Sequence, residues 1–372
     1  MFLGLRKPYF LGVDFGTASI KVVELTLENG KPKLTNYGQA DLMKLEKDRT
    51  PGVGLGGDDS VVYLRALLEQ LHPKSQSAYV AMPAFIGLVS LIELPEMDES
   101  DLGDAIKFEA HKYIPSPLEE VALSYEVVGI RQGEDGSQKM EVLLVAALNK
   151  EVDRYKQCIT DAHLKLEFLE LETFSLARSL VQKQEGLYLI ADIGSRATNL
   201  ILVDNGLVKV SRNLDAGGKD ITRTLHESLN IAVERAETLK KSDKDFLNVP
   251  ESAMVFPTLE MVASEAQRML DTYLAKYPEK ECQEMILSGG TAHMAGLAEY
   301  YKRVLGLSVR VGDPWQGIQH DANRAEDIKQ LGTSFSVAIG LALAGTEAIT
   351  KKDKPIVSKK SFSLKELLNK KL

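Results

Sequence analysis

The chain has 372 residues, of which 44% are hydrophobic and 26% are charged, and its formal net charge at pH 7 is −8. A globular chain of this length exceeds what one ordinary core supports, so we expect two large lobes or several subdomains. The acidic balance argues against general nucleic-acid binding, because contact with phosphates needs a basic surface.

The two cysteines, Cys158 and Cys282, lie far apart and outside any C-x-x-C motif, and the six histidines show no H-x-x-x-H spacing. These residues indicate reduced side chains in a cytosolic protein rather than a disulfide or a zinc site. The N-terminal apolar run is too short for a signal peptide, and we find no stretch of about 18 apolar residues for a membrane span. We therefore expect a cytoplasmic protein in which residues 337–344 form a core helix.

Strand-like alternation and helix-like periodicity follow one another along the whole chain. The elements predicted in the first 83 residues are two strands around a glycine turn at 9–27, a polar glycine-rich loop at 44–59, a helix at 61–71 and a strand at 79–82. Those of the next segment are a strand at 88–94, a helix from about 98 that Pro115 ends, strands at 123–130 and 140–148, a helix at 151–162 and a strand at 165–170 that completes a small α+β unit. Those of the second half are strands at 187–193 and 199–203, helices at 219–229, 233–241 and 257–277, a strand at 285–288 and a closing helix at 334–344.

These elements divide the chain into two lobes, an insertion and a tail. The predicted units are a first lobe at 1–83, an insertion at 84–166, a return of the first lobe at 167–186, a second lobe at 187–350 whose closing helix returns to the first, and a tail at 351–372. The tail carries eight lysines against Asp353 and Glu366, and a Ser363/Glu366 capping box predicts a short basic amphipathic helix. It suits an anionic membrane, a partner or neighbouring subunit, or a solvated disordered segment.

One motif occurs twice, about half a chain apart. Residues 11–17 and 189–195 each consist of an apolar strand, an aspartate, one spacer, a glycine and a hydroxyl residue. Glycine permits a tight turn in which backbone N–H groups approach a phosphate closely. A single copy would more often be an ordinary hairpin turn. Two copies indicate two related lobes that face each other.

The side chains around these turns suit a nucleotide with its metal ion. The candidate phosphate ligands are Gly16, Thr17, Ser19, Lys21, Gly194, Ser195 and Thr198. Asp14 and Asp192 lie at strand ends, where carboxylates can hold a hydrated Mg²⁺. A third glycine site, Gly289, Gly290 and Thr291, lies between a strand and a helix, where bare backbone and a helix N-terminus would face the nucleotide.

Taken in order, the three glycine sites resemble the phosphate-1, phosphate-2 and adenosine motifs of the actin, Hsp70 and sugar-kinase superfamily. The resemblance implies an α/β, ribonuclease H-like fold of two lobes, with ATP and Mg²⁺ in the central cleft. It also implies that Glu172 positions a water molecule, with Glu170 as its competitor, and that Gly217 begins a run opening a helix near the nucleotide. Glu237 and Lys240 resemble the pair that contacts ribose and base, although an exposed i,i+3 ion pair is an equally good interpretation.

The insertion distinguishes among members of the superfamily. Residues 105–121, AIKFEAHKYIPSPLEEV, and 10–25, FLGVDFGTASIKVVEL, resemble the signature of PilM-type pilus assembly proteins, and the resemblance covers about 8–345. It departs from the usual pattern at Phe15, where Ile is common, and at His111, where an acidic residue is frequent. The family implies an FtsA-type subdomain 1C at 84–166, beside subdomains 1A, 2A and 2B.

The same resemblance implies a cytoplasmic scaffold of the type IV pilus machinery, peripheral at the inner membrane. Its partner would be the N-terminal peptide of a PilN-like protein, bound in a groove between 1A and 1C, and self-assembly is a further expectation. ATP would act mainly as a conformational ligand, and the sequence leaves its hydrolysis open. The rival interpretations are a small-molecule kinase, an FtsA-like division protein and a GspL-like secretion domain. Residues 94–121 argue against the FtsA-like reading, and the lack of a predicted transmembrane helix argues against the GspL-like one.

Overall fold

The computed structural model describes residues 7–42, 58–132 and 136–352. Its strands are β1 (Tyr9–Phe15), β2 (Ser19–Glu28), β3 (Lys31–Asp41), β4 (Ser77–Met82), β5 (Gly87–Pro95), β6 (Val121–Gln132), β7 (Gln138–Leu148), β8 (Lys165–Leu171), β9 (Leu187–Ile193), β10 (Thr198–Asp204), β11 (Leu207–Leu214), β12 (Cys282–Ser288) and β13 (Val309–Val311). Its helices are α1 (Asp58–Leu71), α2 (Glu99–Ala110), α3 (Asn149–Asp161), α4 (Glu172–Leu180), α5 (Gly218–Leu229), α6 (Val233–Lys240), α7 (Pro257–Lys276), α8 (Leu297–Leu305), α9 (Ala325–Leu331) and α10 (Ser336–Lys352).

Two of the sheets have the same topology. The strand order is β3-β2-β1-β4-β8 in the first sheet and β11-β10-β9-β12-β13 in the second. In each, the first three strands are antiparallel and the remaining strands pair in parallel. The repeated aspartate–glycine motif therefore belongs to a repeated sheet, and the prediction of a two-lobed α/β fold is confirmed.

Two large apolar cores pack on the two sheets, and the first of them joins the sheets, since it also includes Ile190 and Ile201 of the second sheet. Strand β10 is buried along its whole length, as expected for a strand covered on both faces. In the first sheet, Leu11 and Val13 of β1 are fully buried in a core that also includes side chains of α1, α3 and α4. In the second, Leu189 and Ala191 of β9 are buried in a core with α5, α7 and α8.

The third sheet is the inserted unit, with strand order β5-β7-β6 and antiparallel pairing throughout. Alternate side chains of β7 point to opposite faces. Val142 and Leu144 pack with α2 in a separate small core. Leu143 and Val145 instead belong to the core of the first sheet. The insertion is therefore fastened to the first lobe through shared apolar packing.

Helix α10 closes the first lobe by packing on α4, β1, β2 and β4. Two glycines permit the close approach. A Cβ on Gly12 would overlap the carbonyl oxygen of Ala338, and a Cβ on Gly340 would overlap that of Ser175. The predicted core helix at 337–344 lies within α10 and is largely buried. The window Gly332–Ile349, with a mean hydropathy of 1.3, is long and apolar enough for a membrane span by length and composition alone, and 61% of it is buried inside the fold.

Several element predictions need correction. Strand β8 is hydrogen-bonded in parallel to β4 of the first sheet, so it does not complete the inserted unit. Helix α2 ends at Ala110, ahead of Pro115, because Lys112 and Tyr113 form i→i−3 turns on Glu109 and Ala110. Strand β3 was not predicted. Residues 43–57 and the tail from 353 onward lie outside the described residues.

Candidate functional site

A cleft of about 1260 Å³ lies where elements of both large sheets meet. It is lined by the turns after β1, β9 and β12, the first residue of α4, and helices α5 and α6. The sequence-predicted residues that line it are Asp14, Gly16, Thr17, Ser19, Lys21, Glu172, Asp192, Gly194, Ser195, Glu237, Lys240, Gly289, Gly290 and Thr291. The fold thus brings together three glycine turns that are far apart in the sequence.

The first two turns are built alike. A Cβ on Gly16 would lie 2.9 Å from the carbonyl oxygen of Ser19, and a Cβ on Gly194 would lie 2.9 Å from that of Ala197. In the second turn the Gly194 N–H donates to the same Ala197 carbonyl at 2.9 Å. Glycine is therefore required by geometry in both copies. Both turns also leave backbone bare at the cleft, which suits an anionic ligand.

Two carboxylates lie at the ends of the central strands. Burial, opposed by nearby Lys21, raises the pKa of Asp14 to about 6, and the charge of Asp192 contributes. Burial likewise raises the pKa of Asp192, against a hydrogen bond from Ser288. The Lys21 ammonium is 3.9 Å from Asp14 Oδ2, so one lysine faces more than one acid. The raised pKa values mean that the ionised carboxylates are disfavoured here, so a bound cation would stabilise them.

The two carboxylates fit a Mg²⁺ ion that is held largely by water and ligand phosphates. Among the described residues, no group of three or more His, Cys, Asp or Glu side chains could enclose a metal ion. Mg²⁺ commonly keeps several waters and is held by one or two carboxylates together with substrate phosphates. The Asp14 and Asp192 pair matches that pattern better than a closed protein cage.

The two competing glutamates have separate environments. Glu170 accepts both guanidinium nitrogens of Arg178, at 2.7 and 2.9 Å, and the Ser175 hydroxyl at 2.6 Å. Its carboxylate is therefore occupied within the core. Glu172 lines the cleft, and its carboxylate accepts the Ala84 N–H at 3.0 Å. Burial, and then the charge of Asp192, raise its pKa to about 8.

Glu237 and Lys240 form a hydrogen-bonded pair in which the lysine is buried and the glutamate is half-exposed. The Lys240 ammonium is 7% exposed and donates to Glu237 Oε2 at 2.6 Å, to the Thr222 hydroxyl at 2.9 Å and to the Gly218 carbonyl at 3.0 Å. Burial works against the ionised form, but bonds to Lys240 and Thr222 lower the pKa of Glu237 to about 2. The ammonium has three donors, so it is saturated internally. Glu237 is the more accessible group.

The third glycine turn differs in part from its prediction. Gly289 has φ of +84°, and a Cβ there would overlap the backbone of Ile193. The Thr333 hydroxyl donates to the Gly289 carbonyl at 2.9 Å and fixes the turn. Helix α8 begins only at Leu297, so no helix N-terminus directly follows Gly290 as the sequence pattern predicted. The backbone itself, not a helix end, is what this turn presents.

Two predicted residues do not line the cleft. The Thr198 hydroxyl donates to the Ala216 carbonyl at 2.7 Å and is fully buried. A Cβ on Gly217 would meet the carbonyl of Gly194 at 2.8 Å, so Gly217 supports the second turn from behind. The lining residues that sequence reasoning did not select include Asn199, Gly218, Thr222, His293 and Thr333. Only Gly218 and Thr222 carried a signal, since they belong to the glycine run that opens α5.

Comparisons with known proteins match the chain over most of its length. A family model described as type IV pilus assembly protein PilM matches residues 12–346. A solved PilM-PilN type IV pilus biogenesis complex has a TM-score of 0.72 at 24% identity, covering 91% of this chain and 98% of that chain. The ethanolamine utilization protein EutJ of Carboxydothermus hydrogenoformans has a TM-score of 0.53 at 20% identity, covering 91% and 90%. Cell division protein FtsA of Enterococcus faecalis is 21% identical over 83% of this chain and 79% of its own length.

Proposed function

The chain belongs to the PilM family of type IV pilus assembly proteins, and on that premise we propose that it is an ATP-binding cytoplasmic scaffold of a pilus machine. The observation that carries the proposal is the extent of the family match, which runs from 12 to 346 and includes both the glycine turns and the inserted unit. Enzymes and scaffolds share folds of this type, so the role is argued from the site and the insertion together.

ATP suits the cleft by its chemistry. The turns at Gly16 and Gly194 would hold phosphates from opposite lobes, and Lys21 would add a positive charge. The turn at Gly289 would face the adenosine, with Glu237 accepting from ribose hydroxyls. Bound Mg²⁺ would supply the charge that balances the phosphates against the two aspartates.

Glu172 is the group proposed to position a water molecule near the phosphates. A carboxyl whose pKa is about 8 is largely protonated at neutral pH and is then a weak base. That property suits slow hydrolysis, in which ATP serves mainly as a conformational ligand. Both lobes contribute to the site, so nucleotide favours closure to the extent that it binds the closed arrangement more tightly.

The partner is proposed by transfer from the solved PilM-PilN complex. The N-terminal cytoplasmic peptide of a PilN-like inner-membrane protein would lie in a groove between subdomain 1A, the first sheet, and subdomain 1C, the inserted unit. The scaffold would thereby be peripheral at the inner membrane and support pilus functions such as twitching motility. Self-assembly and contact of the 351–372 tail with the membrane remain additional proposals.

Calorimetric titration with the PilN-like peptide, with and without Mg·ATP, tests the scaffold role. We expect saturable 1:1 binding whose affinity differs between the two nucleotide states. The variant Gly16→Val, whose side chain would meet the Ser19 carbonyl, should lose ATP binding and with it the nucleotide dependence. Gly103→Ala, where only the Tyr125 hydroxyl comes within 4 Å of the added Cβ, is the matched control.

The possible outcomes separate the two halves of the proposal. Peptide binding that is indifferent to ATP would keep the scaffold and reduce ATP to a structural ligand. Absence of peptide binding in both states, with ATP still bound, would contradict the scaffold role and favour a kinase or another superfamily activity.

A further inference from the structure

Glu172 is shared between the nucleotide cleft and the start of the inserted unit. Its Oε1 accepts the Ala84 N–H at 3.0 Å, and the residues on either side, Pro83 and Phe85, line the cleft. Ala84 is itself only 2% exposed. The 3₁₀ turn Ala84–Ile86 leads directly into β5, the first strand of the inserted sheet. A single backbone donor therefore connects the candidate water-positioning carboxylate to the insertion.

Glu172 and the segment that leads into β5 are both held in place by packing. Glu172 is the first residue of α4, a helix in which most side chains are buried, so its backbone is fixed by packing. Gly87, at the start of β5, lies so close to Leu171 that an added Cβ would be 2.7 Å from the leucine methyl groups. The start of β5 and the residue that precedes Glu172 are therefore in close contact. A shift of either one changes the hydrogen bond, since such bonds weaken steeply as geometry degrades.

The inserted sheet is also held from the second lobe. Glu141 of β7 accepts Lys209 Nζ from β11 at 3.1 Å and the Tyr277 hydroxyl from the end of α7. Both Glu141 and Lys209 are buried. The unit that carries the proposed peptide groove therefore contacts both lobes whose turns form the nucleotide site. Its attachment to the first lobe, at Ala84, donates a hydrogen bond to Glu172 of that site.

We propose that the Ala84 N–H is the positioning group for Glu172, and that the 83–87 junction is the route by which nucleotide and the inserted unit affect each other. The proposal rests on the ATP-binding part of the proposed function. Any water, ion or phosphate oxygen that engages Glu172 must share the carboxylate with Ala84. Conversely, a partner that moves β5 withdraws the donor that orients Glu172.

Proline at position 84 removes the donor and places its Cδ where the N–H pointed, so the Glu172 carboxylate must also move away from the junction. Pro83 has φ of −56° and ψ of 142°, the conformation favoured before a proline. A residue at the start of a 3₁₀ turn has φ near that of proline. Ala84→Pro therefore deletes the N–H, and Ala84→Ser is the matched control that keeps it. A second pair of variants leaves residues 83–87 unchanged and alters the acceptor instead. Glu172→Gln keeps an acceptor oxygen, whereas Glu172→Leu removes it.

Hydrogen exchange of the β5 amides, with and without saturating Mg·ATP, is the measurement, and calorimetry on the same samples reports nucleotide binding. We expect the exchange rates to change by roughly threefold or more in the wild type, Ala84→Ser and Glu172→Gln, in keeping with the loss or weakening of one hydrogen bond. In Ala84→Pro the change should be lost while ATP still binds. Because Glu172 lines the cleft, its two variants are compared at nucleotide concentrations that calorimetry shows to be saturating for each, and Glu172→Leu should then lose the change that Glu172→Gln keeps.

Equal changes in Ala84→Pro and Ala84→Ser would overturn the proposal, and so would equal changes in the two Glu172 variants if the proline variant does not fold. No change at β5 in ATP-bound wild type would also overturn it, with the ATP-binding part of the proposed function left standing. Failure of the wild type to bind ATP would overturn both together.

Discussion

At the scale of single residues, the ion pair between Glu170 and Arg178 is a largely enclosed polar contact near the site. The side chains are 1% and 17% exposed, and Arg178 also donates to the Gly340 carbonyl at 2.9 Å. The pair thus connects β8, α4 and α10. It explains why Glu170 is unavailable to a ligand.

Removing one member of this pair should destabilise the fold strongly. We expect Arg178→Ala to lower the free energy of unfolding by about 3–5 kcal/mol, because it leaves a buried carboxylate without its charge partner. Urea unfolding monitored by circular dichroism measures this. Lys107→Ala removes an ion pair to Asp104 whose members are 67% and 91% exposed, and should cost under about 1 kcal/mol. Similar losses in the two variants would contradict the structural role given to Glu170.

A second residue-scale prediction concerns pH. Asp14, with a pKa of about 6, and Glu172, with a pKa of about 8, bind their protons more tightly in the folded chain than when unfolded. Their contribution to stability is greatest below the unfolded pKa values near 4 and is lost as pH rises toward 8. Without nucleotide or metal, unfolding free energy should therefore fall between pH 5 and pH 8, by as much as a few kcal/mol.

Glu172→Gln tests the assignment. The amide cannot ionise, so the variant should gain stability relative to the wild type as the pH increases from 5 to 8. Urea titrations at several pH values measure the difference. Parallel pH profiles for the two proteins would contradict the raised pKa of Glu172.

Sequence reasoning at this scale succeeded where residue type and turn geometry are linked. Gly16 and Gly194 were predictable because each turn excludes a side chain. The sequence named Glu172 ahead of Glu170 as the water-positioning candidate, but it could not show that Glu170 is bound by Arg178, whose guanidinium reaches it only in the folded chain. Nor could the sequence distinguish an exposed Glu237–Lys240 pair from a buried one, since the same i,i+3 spacing serves both.

At the scale of elements, two glycines within helices allow the effect of close packing on stability to be compared with that of helix propensity. Gly340 of α10 faces the Ser175 backbone with no room for a side chain, whereas Gly103 of α2 has only the Tyr125 hydroxyl, at 3.8 Å, near its added Cβ. Gly340→Ala should destabilise by several kcal/mol through overpacking. Gly103→Ala should stabilise by about 0.5–1 kcal/mol through helix propensity. Thermal unfolding of both variants gives the comparison, and equal signs would contradict the close α10 contact.

Periodicity predicted most elements, but not which strands pair. The pattern of β8 is that of an apolar strand, and nothing in it specifies β4 as a neighbour. Strand β3 escaped prediction because it is mostly half-exposed and includes Pro32 and Gly38, residues that are poor strand formers. The early end of α2 and the late start of α8 are boundary errors, the least reliable part of any pattern.

At the scale of the whole molecule, the buried Glu141 cluster joins the inserted unit to the second lobe. Lys209→Met should lower the unfolding free energy by up to about 3 kcal/mol, because the buried Glu141 carboxylate loses its nearer cation and keeps only Arg131, at 3.8 Å. The double variant Glu141→Leu/Lys209→Met should recover much of that loss. Tyr277→Phe, which deletes one hydrogen bond, should cost about 1 kcal/mol. A double-mutant cycle with no coupling energy would contradict the cluster.

The family match and the likeness to FtsA extend over most of the chain, so they concern the whole molecule. The duplicated sheet could be inferred from two short motifs, and the PilM-type insertion from one run of residues. The contact of that insertion with the second lobe could not, since it unites residues of β7, β11 and the end of α7 that are far apart in the sequence.

The packing of α10 on β1 has a consequence for synthesis of the protein. The strands that open the chain are completed by a helix that follows some 320 residues later. At about 5–20 residues per second, the ribosome would leave those strands without their cover for roughly 15–60 s. The core that the second sheet forms with α5, α7 and α8 uses only residues from 187 to 311, so this part of the second lobe can pack while the first lobe still waits. Chains truncated at 335 should therefore resist protease in this part and be digested in the first lobe, and the full chain should be protected in both.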